Sequence, residues 1–166
     1  LAVLILGCRL SPAICQDYFL HGNWGGTYAD AEKSPGTPED DSLCWAAAAA
    51  NVLWWTGWGQ SPGQGFADED DVLAYFRDHW TNEGGRANYG LQWWFDGVNP
   101  SQGWSGISQV DVPGGGFWEP PYDFDAVFEQ TTDDAAALPR LEEYLRAGRG
   151  VALALARDWG HEVACW

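Results

Sequence analysis

Methionine is absent from all 166 residues, position 1 included, and lysine occurs once, at Lys33. A chain with no initiating methionine is expected to be a fragment at its N-terminus. One that stops inside an apolar run just after His161 is expected to be a fragment at its C-terminus as well. Basic residues are scarce: Lys and Arg total 8 against 24 Asp and Glu, a formal charge of −16. A surface of that sign repels phosphate backbones, which argues against a nucleic-acid partner. No C-x-x-C pair occurs, so cysteine spacing offers no zinc or dithiol signature. No apolar run approaches the roughly 20 residues a membrane-spanning helix needs. There is no internal repeat.

What is present points to a folded protein. Hydrophobic residues make up 46% of the chain and 12 are tryptophan, far from the composition of a disordered segment. The length suits one domain with a sizeable core. Residues 1–20 read as a residual leader and residues 21–166 as the domain. The opening Leu1-Ala2-Val3-Leu4-Ile5-Leu6-Gly7 has the apolar character of a secretory signal. Ile5-Leu6-Gly7-Cys8 resembles a bacterial lipobox, which would make Cys8 a lipid anchor, while Ser11-Pro12-Ala13 could end an ordinary signal peptide instead. A secreted or cell-surface protein is therefore expected, with no membrane span; the competing view is a buried first strand. With Cys8 in the leader, Cys15, Cys44 and Cys165 remain, and an odd number leaves one thiol free. A Cys15–Cys165 bridge with Cys44 free would suit an exported thiol enzyme.

Residues 21–42 are rich in Gly, Pro, Asp and Ser and read as an extended lead-in. Asp40, Asp41 and Ser42 are cap candidates for a helix over Leu43–Thr56 that is apolar on every face, as a central buried helix would be. Gly57 and Gly59 end it. A second helix is expected over Asp70–Trp80, with Val72, Leu73, Phe76 and Trp80 on one face. From Gly84 to Gly116 the chain is glycine-rich, with Leu91–Phe95 and Ile107–Val112 as ordered islands and Gly114-Gly115-Gly116 as a flexible loop. A last helix, Leu138–Ala147, precedes a hairpin of Val151–Ala156 and His161–Trp166 around Asp158-Trp159-Gly160. Helices first and strands last is an α+β order.

Cys44 carries the chemistry. A thiol in the first turn of a helix meets unpaired backbone N–H groups and the positive end of the helix dipole, and both favour thiolate, the nucleophilic form. His161 comes more than a hundred residues later in a strand-like run, and an imidazole is suited to hold or return a proton at neutral pH. A thiol at a helix start followed by a distant strand histidine is the chain order of papain-like cysteine peptidases. Bland readings compete: Cys44 as a small core residue, His161 as a hydrogen-bonded structural histidine, Lys33 as a solvated loop residue. His21 and His79 are rival bases. Cys44, His161 and Cys165 as a zinc site is a further alternative. Trp54, Trp55, Trp93 and Trp94 read as core, or, if exposed, as a surface that grips a glycan or protein.

The segment Asp40-Asp41-Ser42-Leu43-Cys44, the Ala-rich helix after it and Trp54-Trp55 resemble the nucleophile region of the immunoglobulin-degrading cysteine endopeptidases of the IdeS/Mac type. Phe124-Asp125-Ala126-Val127-Phe128, a helix, a small-residue strand and His161-Glu162-Val163-Ala164-Cys165-Trp166 follow in that family's order. The resemblance covers residues 24–58 and 122–166. It implies a papain-like α+β fold with a buried N-terminal central helix and a C-terminal antiparallel sheet. It also implies Cys44 as nucleophile, His161 as base and an oxyanion-stabilising lysine shortly before the cysteine, for which Lys33, eleven residues ahead, is the match. The family's acidic partner for the histidine lies further along than the five residues that follow His161, so poor activity is expected of this stretch alone. The function expected is hydrolysis of peptide bonds in a protein substrate, immunoglobulin-like if the resemblance extends that far, with no cofactor and no metal. The alternative is a non-catalytic, aromatic-rich extracellular binding module.

Overall fold

The computed structural model describes residues 29–31, 33, 42–80, 85–97, 113–131, 136–155 and 161–165, with Leu155 and His161 by backbone alone. The proposed leader with Cys8 and Cys15, the cap candidates Asp40 and Asp41, the rival base His21, the Ile107–Val112 island and the Asp158–Gly160 turn lie outside the described residues. The order of elements is α1 (Cys44–Thr56), α2 (Glu69–Trp80), α3 (Ala87–Asp96), α4 (Phe124–Val127), α5 (Ala137–Arg146), β1 (Val151–Leu155) and β2 (His161–Cys165). The chain is α+β: helices followed by a two-stranded antiparallel sheet in which Val151 pairs with Cys165 and Leu155 with His161.

α1 is the centre of the fold. Alanine has the highest helix propensity and the smallest side chain that still keeps the backbone in helical space. Ala46, Ala48, Ala49 and Ala50 are buried with Trp45, Val52 and Leu53, and their small size lets α2, α3 and β2 all approach α1. Gly57, at φ 85°, turns the chain out of the helix and donates its N–H to the Trp54 carbonyl.

α2 starts on reciprocal acidic caps: the Asp71 amide donates to the Asp68 carboxylate (3.1 Å) and the Ala67 amide to that of Asp71 (2.8 Å). Its buried face is Val72, Leu73, Phe76 and Trp80, the face read from periodicity. Trp45 meets Phe76 and Trp80 edge-on at centroid distances of 5.6 and 5.2 Å, so the C-terminal end of α2 packs beside the start of α1.

The glycine-rich middle is more ordered than its composition suggests. Leu91–Phe95 belong to a ten-residue helix, α3, whose Trp93, Trp94 and Phe95 are fully buried. The expected flexible loop at Gly114–Gly116 is a close-packed element. The Gly116 amide donates to the carbonyl of Trp93 (3.0 Å), and a Cβ at Gly115 would come within 2.2 Å of that oxygen. These glycines serve close backbone approach instead of freedom. Short α4 is capped by Asp123, which accepts from the Ala126 amide. α5 is largely exposed and carries the surface pairs Arg146–Glu142 and Arg140–Glu143.

Candidate functional site

Cys44 is the first residue of α1 and is half-buried. The expectation that Ser42 holds the cap position needs correcting: that position is Leu43, whose side chain can accept no hydrogen bond, and its carbonyl receives the amides of Ala46 (3.0 Å) and Ala47 (3.1 Å). Leu43 itself therefore offers no side-chain acceptor to the first-turn amides of α1. Trp45, the next residue, is buried in the core.

The hairpin packs along α1. Gly150, just ahead of β1, packs against Val52, Trp55 and Thr56 in the C-terminal half of α1. Cys165 pairs with Val151 beside it, and β2 lies directly on α1. β2 therefore runs back along α1 with its His161 end toward Cys44. A second chain of contacts agrees. Trp45 packs against Gly85 and Gly90; between those glycines the Ala87 amide donates to Glu162, next to His161, at 2.5 Å.

Lys33 is half-buried. Its segment is pinned to α1 two residues earlier, where the Ala31 amide donates to Asn51 Oδ1 (2.6 Å) and Asn51 Nδ2 donates back to the Ala31 carbonyl (3.2 Å). Asn51 lies seven residues after Cys44, on the same helix face about 10 Å along the axis. The lead-in thus reaches the face of α1 that carries Cys44. This buried asparagine was unremarked in the sequence, and only its place inside an otherwise apolar helix hints at a role.

His79, a rival base, has its ring occupied. Nδ1 lies 2.8 Å from the Tyr75 carbonyl of its own helix, the ring faces Tyr75 at 4.0 Å, and Gly114 packs over the Nε2 edge. Cys165 has no disulfide partner among the described residues, and Cys15, its expected partner, lies outside them; burial holds the Cys165 pKa above the usual thiol value. Among the described residues, no three His, Cys, Asp or Glu side chains converge as a metal site would require. No helix among them is long and apolar enough to cross a membrane. Trp93 and Trp94 are wholly buried, so neither supplies the gripping surface of a binding module.

Glu162 is the residue that sequence reasoning passed over. Only 9% exposed, it caps α3 from another element: Arg86, the helix's own cap position, makes no side-chain capping bond, and the Ala87 amide donates to Glu162 Oε2 instead. Burial pushes its carboxyl up to about 7, outweighing the Ala87 N–H and the Arg86 charge, which both pull the other way. The available signal was a charged residue in an otherwise apolar strand.

No known protein family, curated protein or solved structure matches this chain.

Proposed function

We propose that the protein is a cysteine endopeptidase of papain-like architecture, in which Cys44 attacks the scissile peptide carbonyl and His161 handles the proton. The observation that carries this reading is a half-buried free thiol at the first residue of a buried helix, with β2 lying along that helix. In the proposed reaction the Cys44 thiolate adds to the carbonyl carbon. The oxyanion that develops is met by the Cys44 N–H and the Lys33 ammonium, and losing one such donor costs about 100- to 1000-fold in rate. The His161 imidazolium then gives its proton to the departing amine, leaving a thioester on Cys44. Water activated by the same imidazole hydrolyses that thioester and restores the thiol. The resemblance to the IdeS/Mac-type endopeptidases supports the same three assignments, and a protein substrate with them; an immunoglobulin-like one rests on the resemblance alone. Export to the cell surface is part of the proposal and rests on the apolar opening of the chain.

The test is alkylation of the intact chain by iodoacetamide, read thiol by thiol by peptide mapping, with Cys165 as the internal slow reference. Cys44 should react at least roughly tenfold faster than the same thiol in the urea-unfolded chain, as expected of a nucleophile activated by an adjacent base. An epoxysuccinyl inhibitor should label it selectively. If Cys44 reacts no faster folded than unfolded, the nucleophile assignment fails. Casein cleavage that survives in C44A would overturn the mechanism.

A further inference from the structure

A cavity of about 640 Å3 lies between the C-terminal half of α1, α3, α4, α5 and β1, within the roughly 300–1,000 Å3 typical of small-molecule sites. Cys44 does not line it. Its walls are mainly apolar, from Val52, Leu91, Phe124, Leu141 and Leu153, with Asp125 and Glu129 at exposed positions and Glu162 contributing a buried carboxyl. Among the described residues the Ala87 amide is the one hydrogen-bond donor to that carboxyl, and it engages Oε2. Oε1 accepts from no described protein group and is not sealed from solvent, which leaves it open to a ligand's donor. The cationic side chains of the wall are already engaged: Arg149 with Glu129 (3.3 Å) and Arg140 with Glu143 (3.6 Å). Neither pairs with Glu162; the cation that acts on it is Arg86, which is exposed and lies outside the wall. An apolar chamber whose buried carboxyl retains a spare acceptor is suited to a ligand that brings a positive charge on an apolar body. The overall charge of −16 would concentrate such cations at the surface.

We propose that this cavity is a binding site, separate from Cys44, for a small apolar amine whose protonated nitrogen pairs with Glu162 Oε1 while its aliphatic or aromatic body lies among Val52, Leu91, Phe124, Leu141 and Leu153. Bound there, the amine replaces water at the carboxylate and joins β2, α3 and α5 through one occupant. The site needs no reaction at Cys44.

The probe is 2-phenylethylamine, titrated into the intact chain at pH 8, where Glu162 is mostly ionised and the amine is still protonated. Binding is followed by tryptophan fluorescence, since Trp58 lines the cavity, and by calorimetry. Saturable binding is expected, weakened at least tenfold in E162Q, and at least tenfold weaker for the uncharged analogue 2-phenylethanol on the native chain. L141W, which fills the chamber and leaves the carboxyl in place, should abolish it; this variant decides the matter if E162Q does not fold. C44A should bind as the native chain does, so a failure of the peptidase assignment leaves this result standing. Absence of saturable binding, equal affinity for amine and alcohol, or binding undiminished in L141W overturns the proposal.

Discussion

Replacing Glu162 by glutamine should change the pH dependence of stability more than stability at any one pH. The carboxyl has a pKa of about 7 in the folded protein against 4.5 as the ordinary value. Its folded form therefore binds a proton more tightly than its unfolded form does. Stability from this group is complete below pH 4.5, falls as pH rises and is gone above about 7, because the unfolded chain ionises first. The difference between the two pKa values, at 1.36 kcal/mol per unit, amounts to roughly 3 kcal/mol. Glutamine keeps an oxygen for the Ala87 amide and cannot ionise, so it stands in for the protonated form. Urea unfolding followed by tryptophan fluorescence at pH 4.5 and pH 8 gives the measurement, with each variant's stability compared with the native chain at the same pH. Other carboxyl groups titrate in both proteins and cancel in that comparison. E162Q should gain roughly 3 kcal/mol on the native chain between the two pH values. A stability difference that stays constant within about 0.5 kcal/mol would show that folding does not raise the Glu162 pKa, the α3 amide and dipole offsetting burial, and would refute the reasoning.

Asn51→Ala removes both bonds to the Ala31 backbone. The expected cost is about 1–3 kcal/mol, together with faster hydrogen exchange at the Ala31 amide; unchanged exchange would show that Lys33's segment is held by something else. Gly115→Ala places a methyl within 2.2 Å of the Trp93 carbonyl oxygen. A backbone atom cannot swing aside, so a loss of at least roughly 1–3 kcal/mol in chemical denaturation is expected, and a neutral result would sink the close-packing argument. Trp93→Ala empties a fully buried site. It should cost about 3–5 kcal/mol, appearing as lost stability in a thermal melt; full stability combined with loss of a specific binding activity would instead restore this tryptophan as a surface contact.

Much of the local structure was legible in the sequence because its causes are local. The alanine run, the apolar face of residues 72–80, the acidic start of α2 and the Gly57 stop each act within a few residues. The alternation of small apolar residues marked the hairpin in the same way. The middle was misread because glycine has two uses. Composition suggested freedom, whereas Gly90, Gly115 and Gly116 are small because Trp45, Trp93 and Gly97 press against them. The cap of α1 was also misplaced, since cap-forming residues stood nearby but Leu43 occupies the position.

The sequence alone determined which residue types were available for thiol chemistry: Cys44 at a helix start, a histidine at the start of a late strand, and one lysine in the chain. It also set the elements that carry the first two, through propensity and periodicity. Only the tertiary structure decided that β2 runs back along α1 with the His161 backbone toward Cys44, and that Asn51 ties the lead-in to the same face. It alone turned Glu162 from a charge in an apolar strand into a buried cap for α3 at the edge of a cavity. The reason is range. Helix starts and strand alternation depend on neighbours a few residues apart, whereas Glu162 and Ala87 are separated by 75 positions. Desolvation of that carboxyl exists only once helices and sheet have excluded water around it.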